Sequence, residues 1–212
     1  MHATRPPACR QRRVPQPRRG VCLEQTPVRT ARCRRSIGRY MSPVHTAVLV
    51  EGESDRQAVL AAASAEGRDL ADEGILVVAM SGATNIERAV RTYGPTGRDL
   101  DLVGLCDEPE RHFFERYLDT DDIFVCSSDL EDELIRAMGL DEMVAFIEDQ
   151  GELKPFRTFQ KQPAQRDRTL AQHVHRYCGI RAGRKVRYAE AMAAQVAPDR
   201  TPPPLRQLLD WV

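Results

Sequence analysis

Nowhere does the sequence hold an apolar run approaching the roughly 18–20 residues of a membrane span. Net charge is absent too, since 31 basic residues balance 31 acidic ones. There is no GxxxxGK[ST] string, so the chain has no P-loop and is not a P-loop ATPase by itself. The basic N-terminus lacks the apolar stretch of a secretory signal. No CxxC pair occurs: Cys9, Cys22 and Cys33 are spaced too widely for a metal knuckle. Of Cys106, Cys126 and Cys178, two sit in apolar runs, where a small buried hydrophobe is the ordinary reading. Reduced thiols and a cytoplasmic protein are therefore expected.

The zero net charge conceals two unlike pieces. Residues 1–40 carry eleven arginines against one acid, Glu24, which leaves 20 basic and 30 acidic residues in the remainder. A body that acidic does not hold DNA by bulk attraction and needs metal ions, a local basic face or a partner. The first forty residues are rich in Arg and Pro and poor in periodic apolar positions, so they bury too little to offset the entropy of ordering. A tail over residues 1–42 is expected to be disordered. It reads either as a nucleic-acid-binding arm or as a stretch preceding the true start, with Met41-Ser42 standing just before the first apolar run. The second reading explains the compositional break more simply.

What is present from His45 onward is an alternation. His45 to Val50 is a short β-branched run that ends at Glu51-Gly52, and Ser54 can cap a helix reaching Ala65. Ile75 to Met80 reads as a second buried strand. It is followed by a Ser81-Gly82-Ala83 turn and a helix carrying Ile86, Ala89 and Val90, capped by Thr84 or Asn85. Leu100 to Cys106 is a third strand, leading to a helix through Phe113 and Leu118; Ile123 to Cys126 is a fourth. Ser128 with Glu131 fits a capping box for a helix through Leu134 and Met138 that stops at Gly139. Helices follow around Met143–Ile147, Leu170–Tyr177 and Lys185–Val196, then a short Leu205–Trp211 turn after the prolines. The expected fold class is α/β, a small mostly parallel sheet with helices on both faces (43–138), followed by a C-terminal helical cap (139–212).

In that arrangement three strands deliver carboxylates at their C-terminal ends. Glu51 follows the first, with Glu53 and Asp55 behind it. Asp107, Glu108 and Glu110 follow the third; Asp129, Glu131 and Asp132 follow the fourth. Strand ends of a parallel sheet share one edge, where ligands bind. Clustered like charges repel, and divalent metal relieves them. Asp55, Glu131 and Asp132 also suit first helical turns through the helix dipole alone. Glu51 and Asp107 have no such duty.

These residues carry a resemblance. Val48-Leu49-Val50-Glu51-Gly52-Glu53-Ser54-Asp55, Gly82-Ala83-Thr84-Asn85-Ile86, Gly104-Leu105-Cys106-Asp107 and Ser128-Asp129-Leu130-Glu131-Asp132-Glu133-Leu134 resemble a Toprim domain. The branch is the one fused to ABC-type ATPases in OLD (overcoming lysogenization defect) nucleases. The resemblance covers about 45–135 and more weakly the helical remainder to about 197. It implies a Toprim (Rossmann-like) fold and metal-dependent hydrolysis of DNA by two Mg²⁺ or Mn²⁺ ions. The metal ligands it implies are Glu51, Asp55, Asp107, Asp129 and Glu131. One ion belongs near Glu51 and Asp107, the other between Asp55 and Asp129 or Glu131. Glu51, Asp107 and Lys185 are the implied catalytic residues, Lys185 neutralising charge on the phosphoryl oxygens. Pro109 breaks the family's DxD, leaving Glu108 or Glu110 to substitute.

DNA is thus the expected partner, with RNA not excluded, together with a separately encoded ABC-type ATPase; a homodimer is compatible with the sequence. The basic residues Arg157, Lys161, Arg166, Arg168, Arg181, Arg184, Lys185 and Arg187 offer a face for the DNA backbone. His173 and His175 do not suggest zinc, because alternate positions on a helix face different ways and no third ligand has useful spacing. Neither Tyr40 nor Tyr93 occupies the place of a covalent nucleophile. The alternative function is a non-catalytic Toprim module that binds nucleic acid or regulates a partner.

Overall fold

Every residue of Thr46–Val50 is buried, because this strand, β1, lies inside a sheet covered on both faces. The computed structural model describes residues 42–180 and 183–212. The tail through Met41, with Cys9, Cys22, Cys33 and Tyr40, lies outside the described residues, as does Arg181. Strands β2 (Ile75–Ala79), β3 (Asp101–Asp107) and β4 (Ile123–Cys126) complete a sheet in the order β2-β1-β3-β4. All three pairings are parallel. The period-2 alternation of β1 divides its side chains: Val48 and Val50 enter one apolar core, Ala47 and Leu49 the other.

The second of those cores is closed by α2 (Ile86–Tyr93) and the single-turn helix α3 (Arg111–Phe114). The expected helix through Leu118 is thus only one turn long, because Pro109 starts a 3-10 turn at Glu108–Glu110 that α3 merely continues. Fully buried Phe114 nevertheless plugs this face, resting on Gly104 of β3. The larger core lies under α1 (Glu53–Ala65), α4 (Leu130–Met138) and α8 (Arg184–Gln195). Helix α8 packs along α1, where Ala58, Ala62 and Ala63 permit close approach to Tyr188, Ala189 and Met192.

Helices α5 (Leu140–Asp149), α6 (Leu153–Gln160), α7 (Leu170–Gly179) and α9 (Pro203–Trp211) extend the same core. Residues 139–212 therefore share one apolar interior with the sheet. The short turn expected at Leu205–Trp211 is a full helix, begun by prolines at positions where no backbone donor is needed. It docks against β3 and β4, and fully buried Leu205 and Leu208 each contribute roughly 1.5–3 kcal/mol through that burial. Cys106, Cys126 and Cys178 are free and buried. Burial pushes the Cys106 thiol up to about 12, which makes it a small hydrophobe and not a nucleophile. Among the described residues, no helix is long and apolar enough to cross a membrane.

Two expected caps fall elsewhere. Gly52, not Ser54, precedes α1; the Asp55 carboxylate accepts the Gly52 N–H at 2.9 Å, so the helix begins before Ser54. Asp129, not Ser128, caps α4 by accepting the Asp132 N–H at 2.7 Å. An aspartate is available one residue later, and its carboxylate takes an open backbone donor of the first turn. Both shifts involve carboxylates of the implied metal set.

Candidate metal centre

Parallel pairing brings the C-terminal ends of β1 and β3 side by side, with Val50 opposite Leu105. Glu51 and Asp107 leave those ends together, and Glu51 Oε1 accepts the Asp107 backbone N–H at 3.0 Å. The 3-10 turn after β3 swings Glu110 back toward them. One ligand atom from each of Glu51, Asp107 and Glu110 lies within 4.8 Å of the others. Glu108, on the same turn, is exposed and does not join that group. With Pro at 109, the acid that stands beside Glu51 and Asp107 is Glu110, one residue further along the turn.

A second group forms at the start of α4. Asp129 and Glu131 meet His175, from α7, with one ligand atom of each within 4.8 Å of the others. His175 Nε2 stands 3.1 Å from Asp129 Oδ2. His173 faces away, its ring nitrogens engaged by the Gln165 carbonyl and the Gln160 amide. The alternate-face expectation for the two histidines thus describes the helix correctly, and the donors that meet His175 come from outside any spacing on its own helix. Two carboxylates reach it from another element, across a distance in sequence that spacing rules do not see.

Electrostatics tie the groups together. Burial first, then Glu51, Asp55, Asp129 and Glu110, push the Asp107 carboxyl up to about 8. Burial also raises Glu51 and Asp55 above the usual carboxylate range; for Glu51 the charges of Glu110 and Asp55 add to it, for Asp55 that of Asp129. Glu131 rises to about 7, again chiefly through burial. Lys185, exposed near the start of α8, counters these shifts at Glu51, Asp55 and Glu131. Asp55 and Lys185 thus each act on members of both groups.

The donor set fits hard divalent cations. Carboxylates that burial and mutual repulsion hold partly protonated gain most from a cation. Glu131 supplies a separate sign: it is only 6% exposed, and its Oε1 is buried with no hydrogen-bond partner. An oxygen left so is costly unless something positive meets it.

The expected basic face is smaller than its sequence. Arg184 is buried, stacked 4.0 Å over the Tyr177 ring and paired with Glu152, which also binds Arg187. Those two arginines hold α8 against α6 and α7 and are not disposed toward a ligand. Lys161 and Arg166 are exposed, and Arg157 bonds Gln160 on its own helix. Arg168 and Arg176 line a groove of about 370 Å³ together with Ser128, Asp132 and His175, directly beside the second acidic group.

Residues 44–101 match the family model of the overcoming lysogenization defect protein-like TOPRIM domain, a span that includes Glu51 and Asp55 and ends before Asp107. The fold is similar to the C-terminal region of the Burkholderia pseudomallei OLD protein, with a TM-score of 0.56 and 22% identity over 79% of this chain and 96% of that one. It is similar as well to the C-terminal region of the Xanthomonas campestris pv. campestris OLD protein, with a TM-score of 0.57 and 25% identity over 79% of this chain and 91% of that one. No curated protein matches the sequence.

Proposed function

Because the chain carries a Toprim domain resembling that of the OLD proteins, we propose that it hydrolyses DNA phosphodiesters with divalent cations, as a nuclease or nickase. The observation that carries this reading is the meeting of Glu51, Asp107 and Glu110 within 4.8 Å at the edge of two adjacent parallel strands. Glu51, Asp107 and Glu110 would hold one Mg²⁺ or Mn²⁺, and Asp129 and Glu131, with Asp55 nearby, a second. Such ions, when bound, stabilise charge on phosphoryl oxygens and lower the pKa of bound water.

The chain's own residues do the rest. Glu51 and Asp107, whose carboxyls burial raises, would be deprotonated when a cation binds and form the anionic floor of the site. Asp55, fixed by the Gly52 N–H, adds charge without moving. Lys185 presents an ammonium to the phosphate and limits the negative field that would otherwise repel it. Arg168 and Arg176, in the groove beside His175, contact the DNA backbone and set its register. The 212 residues contain no P-loop, so any coupling to ATP would draw on an ABC-type ATPase outside them. The non-catalytic alternative drew its support from Pro109, and Glu110 weakens it by supplying the displaced acid.

Supercoiled plasmid with Mg²⁺ or Mn²⁺ tests the proposal, using wild type beside Glu51→Gln and Asp107→Asn. Cation-dependent nicking by wild type, lost in both variants, is the expected result. Equal nicking by all three, or none by wild type in the presence of either ion, would remove the nuclease reading.

A further inference from the structure

The two acidic groups differ in donor chemistry. Glu51, Asp107 and Glu110 offer oxygen alone, whereas Asp129 and Glu131 meet an imidazole nitrogen. Neighbouring donors on an octahedral ion with bonds of about 2.1 Å stand about 3.0 Å apart, and His175 Nε2 and Asp129 Oδ2 are separated by 3.1 Å. A hydrogen bond alone would account for that contact. It would not account for Glu131, a member of the same group whose Oε1 is buried and left without a hydrogen-bond partner. A cation bound by all three residues satisfies the imidazole, the capping aspartate and the orphaned oxygen at once.

We propose that His175 is a ligand of the cation held by Asp129 and Glu131, and that this centre consequently prefers a transition cation such as Mn²⁺ to Mg²⁺. The inference rests on the proposed reading of Asp129 and Glu131 as a cation centre. Imidazole nitrogen binds first-row transition ions more strongly than Mg²⁺, which favours oxygen ligands and keeps its water. The all-carboxylate group of Glu51, Asp107 and Glu110 has no such bias. One site therefore accepts either ion, and its neighbour discriminates.

The test uses the full-length protein loaded with Mn²⁺. Electron spin-echo spectroscopy reads nitrogen hyperfine coupling to the bound ion, and calorimetry gives Mn²⁺ and Mg²⁺ affinities for wild type and His175→Gln. The side chain of His175 is 41% exposed, so its replacement leaves the core untouched. Wild type is expected to show nitrogen coupling that the variant loses. Mn²⁺ affinity at one site should fall by roughly tenfold or more, while Mg²⁺ affinity changes by less than about threefold. Bound Mn²⁺ without nitrogen coupling in wild type overturns the assignment of His175 and leaves the acidic centre standing. An equal loss of Mg²⁺ affinity overturns the selectivity. If no Mn²⁺ binds at all, the cation centre itself falls along with the inference.

Discussion

Glu51 Oε1 accepts the backbone N–H of Asp107 at 3.0 Å, joining the acid that ends β1 to the acid that ends β3. The bond draws Glu51 toward its ionised form, while burial and the charges of Glu110 and Asp55 push it the other way. Asp107, which has no compensating donor among its largest influences, takes the greater shift. The pair is thus held together by the backbone and kept under electrostatic stress by burial first and by the neighbouring carboxylates second.

Relieving that stress should stabilise the metal-free protein while abolishing its use of metal. Glu51→Gln retains an oxygen for the Asp107 N–H, and Asp107→Asn removes the group with the larger shift. Either variant is expected to melt about 2–4 °C above wild type in EDTA, corresponding to roughly 1 kcal/mol for a chain of this size. Mn²⁺ should raise the wild-type melting temperature and leave both variants nearly unmoved. Calorimetric scans with and without the ion measure both effects. Lower melting of the variants in EDTA would show that the pair is not under strain.

The displaced motif acid gives a sharper comparison. Glu110→Gln should weaken cation binding by roughly 10- to 100-fold and slow nicking in parallel, because it removes one of the three converging carboxylates proposed to hold the ion. Glu108→Gln should change either quantity by less than about twofold, since Glu108 points to solvent. Titration calorimetry and plasmid nicking on the two variants decide it; a larger loss for Glu108→Gln would reassign the ligand.

The features visible in the sequence are those set by local pattern. The strand Thr46–Val50, the stop at Gly139 and the carboxylates at strand ends each follow from a few adjacent residues. Their convergence could be expected because parallel topology places strand ends together. His175 was hidden because nothing local to α7 reveals that it crosses the start of α4. Arg184 departs from its pattern for the opposite reason: its run of basic neighbours suggests a solvated face, yet Tyr177 and Glu152 claim it. The choice between Glu108 and Glu110 depended on whether Pro109 would tighten the chain into a 3-10 turn, which composition alone does not fix.

Acidity should favour the metal-free fold. Burial first pushes the Asp107 carboxyl up to about 8 and that of Glu131 up to about 7 in the fold, against roughly 4 in the unfolded chain. A carboxyl with a raised folded value contributes stability that is complete below pH 4 and is lost as pH rises through the folded value. Melting temperature in EDTA is therefore expected to fall between pH 5 and about 8. Added Mn²⁺ should reverse the trend, since cation binding requires the deprotonated carboxylates and releases their protons. Scanning calorimetry across this range, with proton release followed in two buffers of different ionisation enthalpy, measures both parts. Melting temperatures that climb with pH in EDTA would contradict it.

The position of Asp107 depends on packing three residues earlier. A methyl group at Gly104 would stand 2.6 Å from Phe114 Cδ1 and 3.2 Å from Leu118 Cδ1. Phe114 is completely buried, so its ring has little room to retreat, and β3 or α3 must shift instead. Gly104→Ala is expected to cost roughly 1–3 kcal/mol, lowering the melting temperature by about 2–12 °C. A shift of β3 also moves Asp107 relative to Glu51, so Mn²⁺ affinity should fall although no ligand has been changed. Phe114→Leu shortens the obstructing side chain, and combining it with Gly104→Ala should recover part of both losses. A double-mutant cycle on melting temperature and Mn²⁺ affinity isolates that recovery. Strict additivity in both would mean that Gly104 and Phe114 do not jointly set the end of β3.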